Sequence, residues 1–386
     1  MSHLPIEKLK ALKVIVSHEN CADGLASAMI LKDVLPKAKV VFLQYGTPDH
    51  VNLVAEEGMI FCDFSPPPAR AQEFVDVGAI VLDHHKTAKA VVALFGDLGV
   101  FADEKDDPGV SGAVLAYREV WLPLLTERPK ADLPADQQNA RTTIEAQLRT
   151  EMDNATSRLL KKGVTPEDAK TQVEADTEVA KLKEQLAFKA TGPLVDRVTN
   201  FARLAGVRDT WQTENPDWSL AREQHEALMF YPQEMWLEAP IFHADNPFVW
   251  NSRLSLGKVL VAKFQRGVTK ALDGAYRFTA NGLSVALFQG ASYTSDAAEI
   301  AGVDLVIGFA YFVEKQEDMA GWPAGTAKGP KLVVSCRSRG DFDASAFAKS
   351  LGGGGHTQAA GFSVNLKAAD TNPYTFIEGL VKDYKP

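Results

Sequence analysis

Cysteine is scarce in this chain. Three residues, Cys21, Cys62 and Cys336, are too few for a disulfide framework. No apolar run approaches the length needed to span a membrane. The opening stretch MSHLPIEKLKALKVIVSHEN lacks the apolar segment and cleavage site of a secretory leader, and the scarcity of cysteine makes a reducing cytoplasm the expected compartment. Positive charge is also short. Forty-one Lys and Arg face 50 Asp and Glu, for a net charge of −9 and a pI near 5.5. That balance argues against a protein built to coat long DNA or RNA, although it leaves room for a local basic groove. No tandem repeat is visible. The rest is ordinary globular composition, 46% hydrophobic and 24% charged, in 386 residues that can hold two or three domains.

The most informative stretch is VGAIVLDHHK. Residues 79–82 are apolar and β-branched and read as a buried strand, and Asp83, His84 and His85 follow directly. Polar groups with metal-binding chemistry at the carboxyl end of a buried strand sit where open α/β sheets place their ligands. Carboxylate and imidazole together suit manganese, iron or zinc, and the oxygen ligands admit magnesium. Three more strands are predicted upstream, over 14–17, 40–44 and 58–62. The first ends at His18. The third ends at Asp63 and is stopped by Ser65-Pro66-Pro67-Pro68. Helical spacing over 24–34 and 68–77 separates strands, which implies a parallel sheet covered by helices on both faces. His18, Asp63 and Asp83 then fall on the same edge. Ser111-Gly112 opens another helix, with Ser111 as its N-cap.

From 127 to 190 the composition shifts to Ala, Glu, Lys, Gln and Thr. Ile144, Leu148 and Met152 recur at helical spacing, and Val179, Leu182 and Leu186 continue the stripe. Gly163 stops one helix, and Thr165-Pro166 caps and starts the next. This reads as a charged helical hairpin inserted in the first domain, serving as a solvated appendage, a homodimer surface or a lid. Residues 232–248 read as loop, and 254–272 as a linking helix. Strands follow over 283–288, 305–312 and 331–336, then a helix over 342–351 and the run Gly352, Gly353, Gly354, Gly355, His356. Cys62 and Cys336 read as core residues. His3, His50, His225 and His243 match no motif.

HENCADG (18–24), FCDFSP with Asp63, VLDHH with Asp83, His84 and His85, and VRDTW with Asp209 resemble, in order, the four motifs of DHH-family phosphoesterases. SCRSRGDFDASAFAKSLGGGGHTQAAGF (335–362) resembles the signature of the DHH-associated C-terminal domain. The resemblance covers about 14–116 and 195–209 in the first domain and 280–364 in the second, and leaves out the helical insertion and the linker. It implies an α/β fold with a parallel-sheet catalytic domain (1–215, with 127–190 inserted), a linker (216–275) and a smaller α/β substrate-binding domain (276–386).

The activity implied is hydrolysis of a phosphodiester or phosphoanhydride at a dinuclear metal centre, usually manganese, with magnesium as an alternative. By similarity His18 and Asp23 ligate through the first motif, Asp63 bridges, and His84 and Asp209 complete the second ion. Asp83 and His85 are ligands, or they orient His84 and the attacking water. One departure stands out. Many members carry two aspartates in the first motif, and Cys21 occupies the place of the earlier one. A His-Cys variant also exists in the family. Cys21 is either a soft ligand, favouring zinc or iron, or an inert small residue.

In the second motif, successive glycines allow close backbone approach and an anion-binding nest. Arg337 and Arg339 are spaced to share a face and suit phosphate. His356 can bond a phosphate or a base. By similarity this domain grips the terminal nucleotide while the first domain cuts, with the cleft between them as the active site. The expected substrates are short oligonucleotides, dinucleotides or phosphoadenosine-type compounds. The rivals are a RecJ-type single-strand exonuclease and a nucleotide-binding protein that no longer cuts.

Overall fold

The computed structural model describes residues 4–126, 135–174, 193–237, 242, 247–312, 331–365 and 372–385. The chain divides into two units, Met1–Leu260 and Val261–Pro386.

The first unit is built on a five-stranded parallel sheet. Its strands are β1 (Val14–His18), β2 (Lys39–Leu43), β3 (Met59–Cys62), β4 (Ile80–Asp83) and β5 (Gly99–Phe101), in the order β2-β1-β3-β4-β5. Alternate side chains feed two cores. Ile15, Ile60, Cys62, Ile80 and Leu82 face one side. Val14, Val16, Met59, Phe61 and Val81 face the other, against Phe64, Phe74, Val91 and Phe95. A sheet buried on both faces must read as nearly continuous apolar runs, and these strands do.

Helix α1 (Ala22–Val34) is buried along its length from Ala22 to Leu31, including Asp23. It packs on β1 and against α2 (Gly112–Ala116), α3 (Pro193–Asp209) and α4 (Trp218–Phe230). From β1 the chain crosses to the edge strand β2 and returns on the other side as β3. The carboxyl ends of β1 and β3 therefore flank the point where strand order reverses, which is where such sheets form a crevice.

The first four strands fall within two residues of the sequence reading. Strand β5 went unread because three residues beginning with glycine give no periodic signal. Residues 201–207 lie inside α3. The stretch expected as loop over 232–248 contains the helix Gln233–Leu237, whose Trp236 is buried and donates its Nε1–H to Leu228 O at 3.2 Å.

In the insertion, helices Ala135–Lys161 and Pro166–Glu174 pack together, with Ala155 and Val173 buried between them. Gly163 takes φ +82° at the end of the first helix, and Thr165 Oγ1 accepts from Asp168 N at 3.2 Å at the start of the next. Val179, Leu182 and Leu186 lie outside the described residues, as do the side chains of Ile144 and Leu148.

The helix Pro247–Asp273 replaces the expected 254–272 and crosses the division between units. The second unit holds a six-stranded mixed sheet: β6 (Tyr276–Ala280), β7 (Leu283–Gln289), β8 (Leu305–Phe312), β9 (Lys331–Ser338), β10 (Gly354–His356) and β11 (Ala359–Asn365), in the order β10-β11-β9-β8-β7-β6. Only β7 and β8 pair in parallel. The helices Ala344–Ser350 and Pro373–Asp383 contribute Phe347, Ile377 and Val381 to its core. Among the described residues, no helix is long and apolar enough to cross a membrane.

Candidate metal centre

Residues far apart in sequence meet at the carboxyl edge of the parallel sheet. His18 ends β1, and Cys21 is the N-cap of α1, its Sγ accepting from Gly24 N at 3.5 Å. Asp23 sits in the first turn of α1. Asp63 follows β3, Asp83 ends β4 with His84 and His85 next, and Asp209 is the last residue of α3.

Asp63 lies at the middle of the group and is buried. Its backbone is left-handed, with φ +57°, a region that Asp tolerates better than most residues. Its N–H donates to Leu82 O at 3.1 Å. This turn splits the two carboxylate oxygens between opposite neighbours. Oδ1 lies 3.1 Å from His84 Nε2 and 3.9 Å from His85 Nδ1. Oδ2 accepts from the Cys21 thiol at 3.4 Å and lies 4.0 Å from His18 Nδ1.

Asp23 is anchored from behind by the start of α2. Its Oδ1 accepts from Ser111 Oγ at 2.7 Å and Ala113 N at 3.1 Å, and its Oδ2 from Gly112 N at 2.6 Å. A carboxylate at a helix N-terminus gains from the exposed N–H groups there. The same Oδ2 lies 3.8 Å from His84 Nε2, and Asp209 Oδ2 lies 3.5 Å from that nitrogen. Gly112 makes the approach possible. A Cβ there would come 2.3 Å from the Asp63 Cβ and 2.9 Å from Asp23 Oδ2.

Asp83 behaves differently. It is fully buried, and its oxygens are taken up inside the protein. Oδ1 accepts from His85 N at 2.9 Å and His85 Nδ1 at 2.8 Å. Oδ2 accepts from Ser65 Oγ at 2.5 Å and Tyr45 Oη at 3.4 Å. It fixes the His85 ring with Nε2 as the nitrogen left over. Three groups of ligand atoms, each within 4.8 Å of one another, arise among the described residues: His18–Cys21–Asp63, Asp63–His84–His85, and Asp23–His84–Asp209. Asp83 is in none of them, and Cys21, left open by the sequence, is.

The cluster is short of positive charge. Burial and the charge of Asp23 push Asp63 up to about 7. Burial pulls His84 and His85 down, but the hydrogen bond from His84 to Asp63 and that from His85 to Asp83, with the surrounding carboxylates, raise them to about 10 and about 9. Burial lowers His18, aided by His85. Cys21 is raised by burial and by Asp63, Asp209 and Asp23. His18 Nδ1 is buried without a hydrogen-bond partner. A buried carboxylate pushed up by its neighbours, beside a buried imidazole nitrogen with nothing to bond, is the kind of surrounding that divalent cations fit.

Sequence reasoning passed over the supports of this site. Tyr45 stacks on Phe64 with ring centres 4.2 Å apart, and its oxygen accepts from Ser65 N at 3.0 Å. His50, read as bland, is buried. Its Nε2 lies 3.2 Å from Ser65 O, and its Nδ1 accepts from Gly46 N at 3.1 Å. The available signal was Ser65, two residues past Asp63. Burial raises the Asp209 carboxyl, and its neighbour Arg208 draws it down against that. The Arg208 guanidinium lies over the Trp211 ring at 4.1 Å, bracing the helix end that carries Asp209. His3 and His243 lie outside the described residues.

In the second unit, Arg337 is held on β9. Its Nε donates to Ser295 Oγ at 2.9 Å, and its Nη1 to Ser335 Oγ at 3.1 Å and Cys336 O at 2.9 Å. Arg339 lies past the strand end and is exposed. The glycine run is partly consumed by the fold. Gly352 closes a helix at φ +81°, and Gly353 N donates to Ala348 O at 2.8 Å. A Cβ on Gly353 or Gly355 would strike β11, at 2.1 Å from Gly361 O and 2.5 Å from Ala359 O respectively. Gly354 alone of the three β11-facing glycines has open space around a Cβ. The backbone of His356 pairs with Ala359, and its side chain lies outside the described atoms.

No curated protein matches the chain at a significant level. Among solved structures, an exopolyphosphatase-related protein from Bacteroides fragilis is 11% identical, with 98% of this chain and 94% of that one covered and a TM-score of 0.40. The pGpG-specific phosphodiesterase PggH of Vibrio cholerae is 12% identical over 96% and 100%, with a TM-score of 0.38. RecJ of Thermus thermophilus in complex with Mn²⁺ is 16% identical over 99% and 55%, with a TM-score of 0.42. Residues 300–373 match the model of the DHHA1 domain. Residues 300–373 of the second unit are thus similar to the DHHA1 domain, and with its ordered upstream motifs the chain resembles the DHH phosphoesterases.

Proposed function

We propose that this chain is a metal-dependent phosphodiesterase that hydrolyses short nucleotide substrates through a metal-activated water. The observation that carries the reading is the split Asp63 carboxylate, one oxygen toward His84 and His85 and the other toward Cys21 and His18. A carboxylate shared between two ions needs that disposition. Manganese is the proposed ion, two per chain, with magnesium as substitute. His18 and Asp63 would hold one, and Asp23, His84 and Asp209, again with Asp63, would hold the other. Bound there, two divalent ions would supply an acidified water and neutralise phosphate charge.

The protein's own residues supply position and protons. The start of α2 locks Asp23, so that carboxylate cannot swing when substrate enters. Asp83 accepts the Nδ1 proton of His85 and leaves Nε2 to carry a proton toward a leaving oxygen. Asp83 acts through His85, as a positioning residue. In this reading residues 1–215 cut, with 127–190 as an insertion and 216–275 as a linker, and 276–386 hold the nucleotide through Arg337, Arg339, His356 and the glycine run Gly352, Gly353, Gly354 and Gly355. Ser295 and Ser335 preset the Arg337 fork for a phosphate.

The test is hydrolysis with added Mn²⁺ of a dinucleotide, a five-residue oligonucleotide, a long single strand, cyclic dinucleotides and phosphoadenosine phosphate, with His84→Ala as control. Cleavage confined to short substrates and lost in the control is expected. Processive loss of the long strand would transfer the assignment to an exonuclease, and binding without cleavage would make the chain a nucleotide-binding protein.

A further inference from the structure

In the reading above Cys21 caps α1 and faces Asp63 but holds no ion. Capping alone does not call for sulfur, since Ser, Thr, Asp and Asn are the residues that cap best. Three observations give the sulfur a second role. Cys21 Sγ lies 3.4 Å from Asp63 Oδ2. His18 Nδ1, buried and without a hydrogen-bond partner, lies 4.0 Å from the same oxygen. The three ligand atoms all fall within 4.8 Å of one another. Across Asp63, the Asp23–His84–Asp209 group offers only oxygen and nitrogen.

We propose that the centre is chemically unsymmetrical, with His18, Cys21 and Asp63 forming a nitrogen–sulfur–oxygen site for a thiophilic divalent ion of the zinc, ferrous iron or cobalt class, beside an oxygen–nitrogen site of Asp23, His84 and Asp209 for a harder ion such as manganese. This rests on the two-ion reading, and it replaces manganese by a softer ion in the half that holds Cys21 while leaving manganese in the other. Softness of the donor decides the assignment, because thiolate favours zinc and iron whereas carboxylate and imidazole accept manganese. Binding replaces the thiol proton with the metal: the S–H bond breaks, the sulfur lone pair goes to the ion, and the proton leaves to solvent. Gly24 N already donates to Sγ, a bond that a metal-held sulfur would keep. Three protein ligands leave a position for water, as catalytic zinc sites do. The other two cysteines are not candidates. Cys62 Sγ is turned to Gly112 O at 3.4 Å, and Cys336 is buried in the second unit.

The full chain, stripped of metal by a chelator, is titrated with Co²⁺ and followed in the near ultraviolet for a thiolate-to-cobalt charge-transfer band. Competition between Zn²⁺ and Mn²⁺ is measured in parallel by elemental analysis after dialysis. The native chain should develop the band and saturate it at one cobalt per chain. Cys21→Ser should bind cobalt without the band, and its preference for zinc over manganese should fall by at least about tenfold. Serine keeps the N-cap, so the variant retains α1, as circular dichroism would verify. Should that variant not fold, the native titration decides alone. Divalent ions bound by the native chain with no band would overturn this inference and leave the two-ion reading standing. No divalent ion bound at all would overturn both.

Discussion

At the scale of single residues, the site is governed by Asp63 and by the glycine pressed against it. Gly112 has no side chain because a Cβ would sit 2.3 Å from that of Asp63. Gly112→Ala must push α2 away from β3. The Asp23 carboxylate would then lose the donors that fix it, Gly112 N and Ser111 Oγ. Overpacking of this kind costs about 1–3 kcal/mol, and here it falls on a ligand set. The expected outcome is a modest drop in thermal stability with a loss of Mn²⁺ affinity of at least about tenfold, read by calorimetric titration. An alanine variant that binds manganese like the native chain would show that the contact between α2 and Asp63 does not shape the site.

At the scale of elements, much was legible. β1, β3 and β4 announce themselves as β-branched apolar runs ending in His18, Asp63 and Asp83, and a parallel sheet forces those ends onto one edge. What the sequence could not reveal is direction past the strand end. Asp83, His84 and His85 are adjacent, yet Asp83 turns to Ser65 and Tyr45 while His84 turns to Asp63. Strand alternation predicts nothing once the ladder stops. Cys21, Tyr45 and Ser65 went unassigned for a related reason, since their roles come from tertiary contacts. The glycine run shows the same limit. A string of glycines reads as a loop that binds an anion, but Gly353 and Gly355 are needed to seat β10 against β11. Gly353→Ala should therefore separate the two strands and destabilise the second unit by several degrees in Tm, whereas Gly354→Ala should leave Tm within about a degree. If a phosphate nonetheless approaches the backbone closely at Gly354, the methyl added by Gly354→Ala will block it and weaken nucleotide binding without unfolding; binding and melting measured on both variants separate the two roles.

At the scale of the whole molecule, the cluster links metal, protons and stability. In the metal-free fold Asp63 stands at about 7, His85 at about 9 and His84 at about 10, each above its ordinary value. Each group then binds a proton more tightly folded than unfolded. The stability they add is fully present below the unfolded values and is lost as pH rises, for Asp63 between about 4 and 7 and for the histidines between about 6.5 and 10. Cations reverse the sign, because their ligands must be deprotonated. Chelated protein should melt lower at pH 8.5 than at pH 6.5, and the rise in Tm from saturating Mn²⁺ should be larger at pH 8.5. A manganese effect equal at both pH values would separate metal binding from this cluster.

The residues that surround Asp63 are drawn from position 18 through position 209, with the inserted helices lying between the last two contributors, Ser111-Gly112 and Asp209. No early fragment of the chain holds them all. During synthesis β1, β3 and β4 are complete long before α3 emerges, so the growing chain passes through a period in which the buried carboxylates have a sheet to stand on but lack Asp209 and the helix behind it. On the two-ion reading, high affinity for cations would belong to the finished fold alone, and ions would enter as the last step of maturation, locking together segments that were made far apart in time.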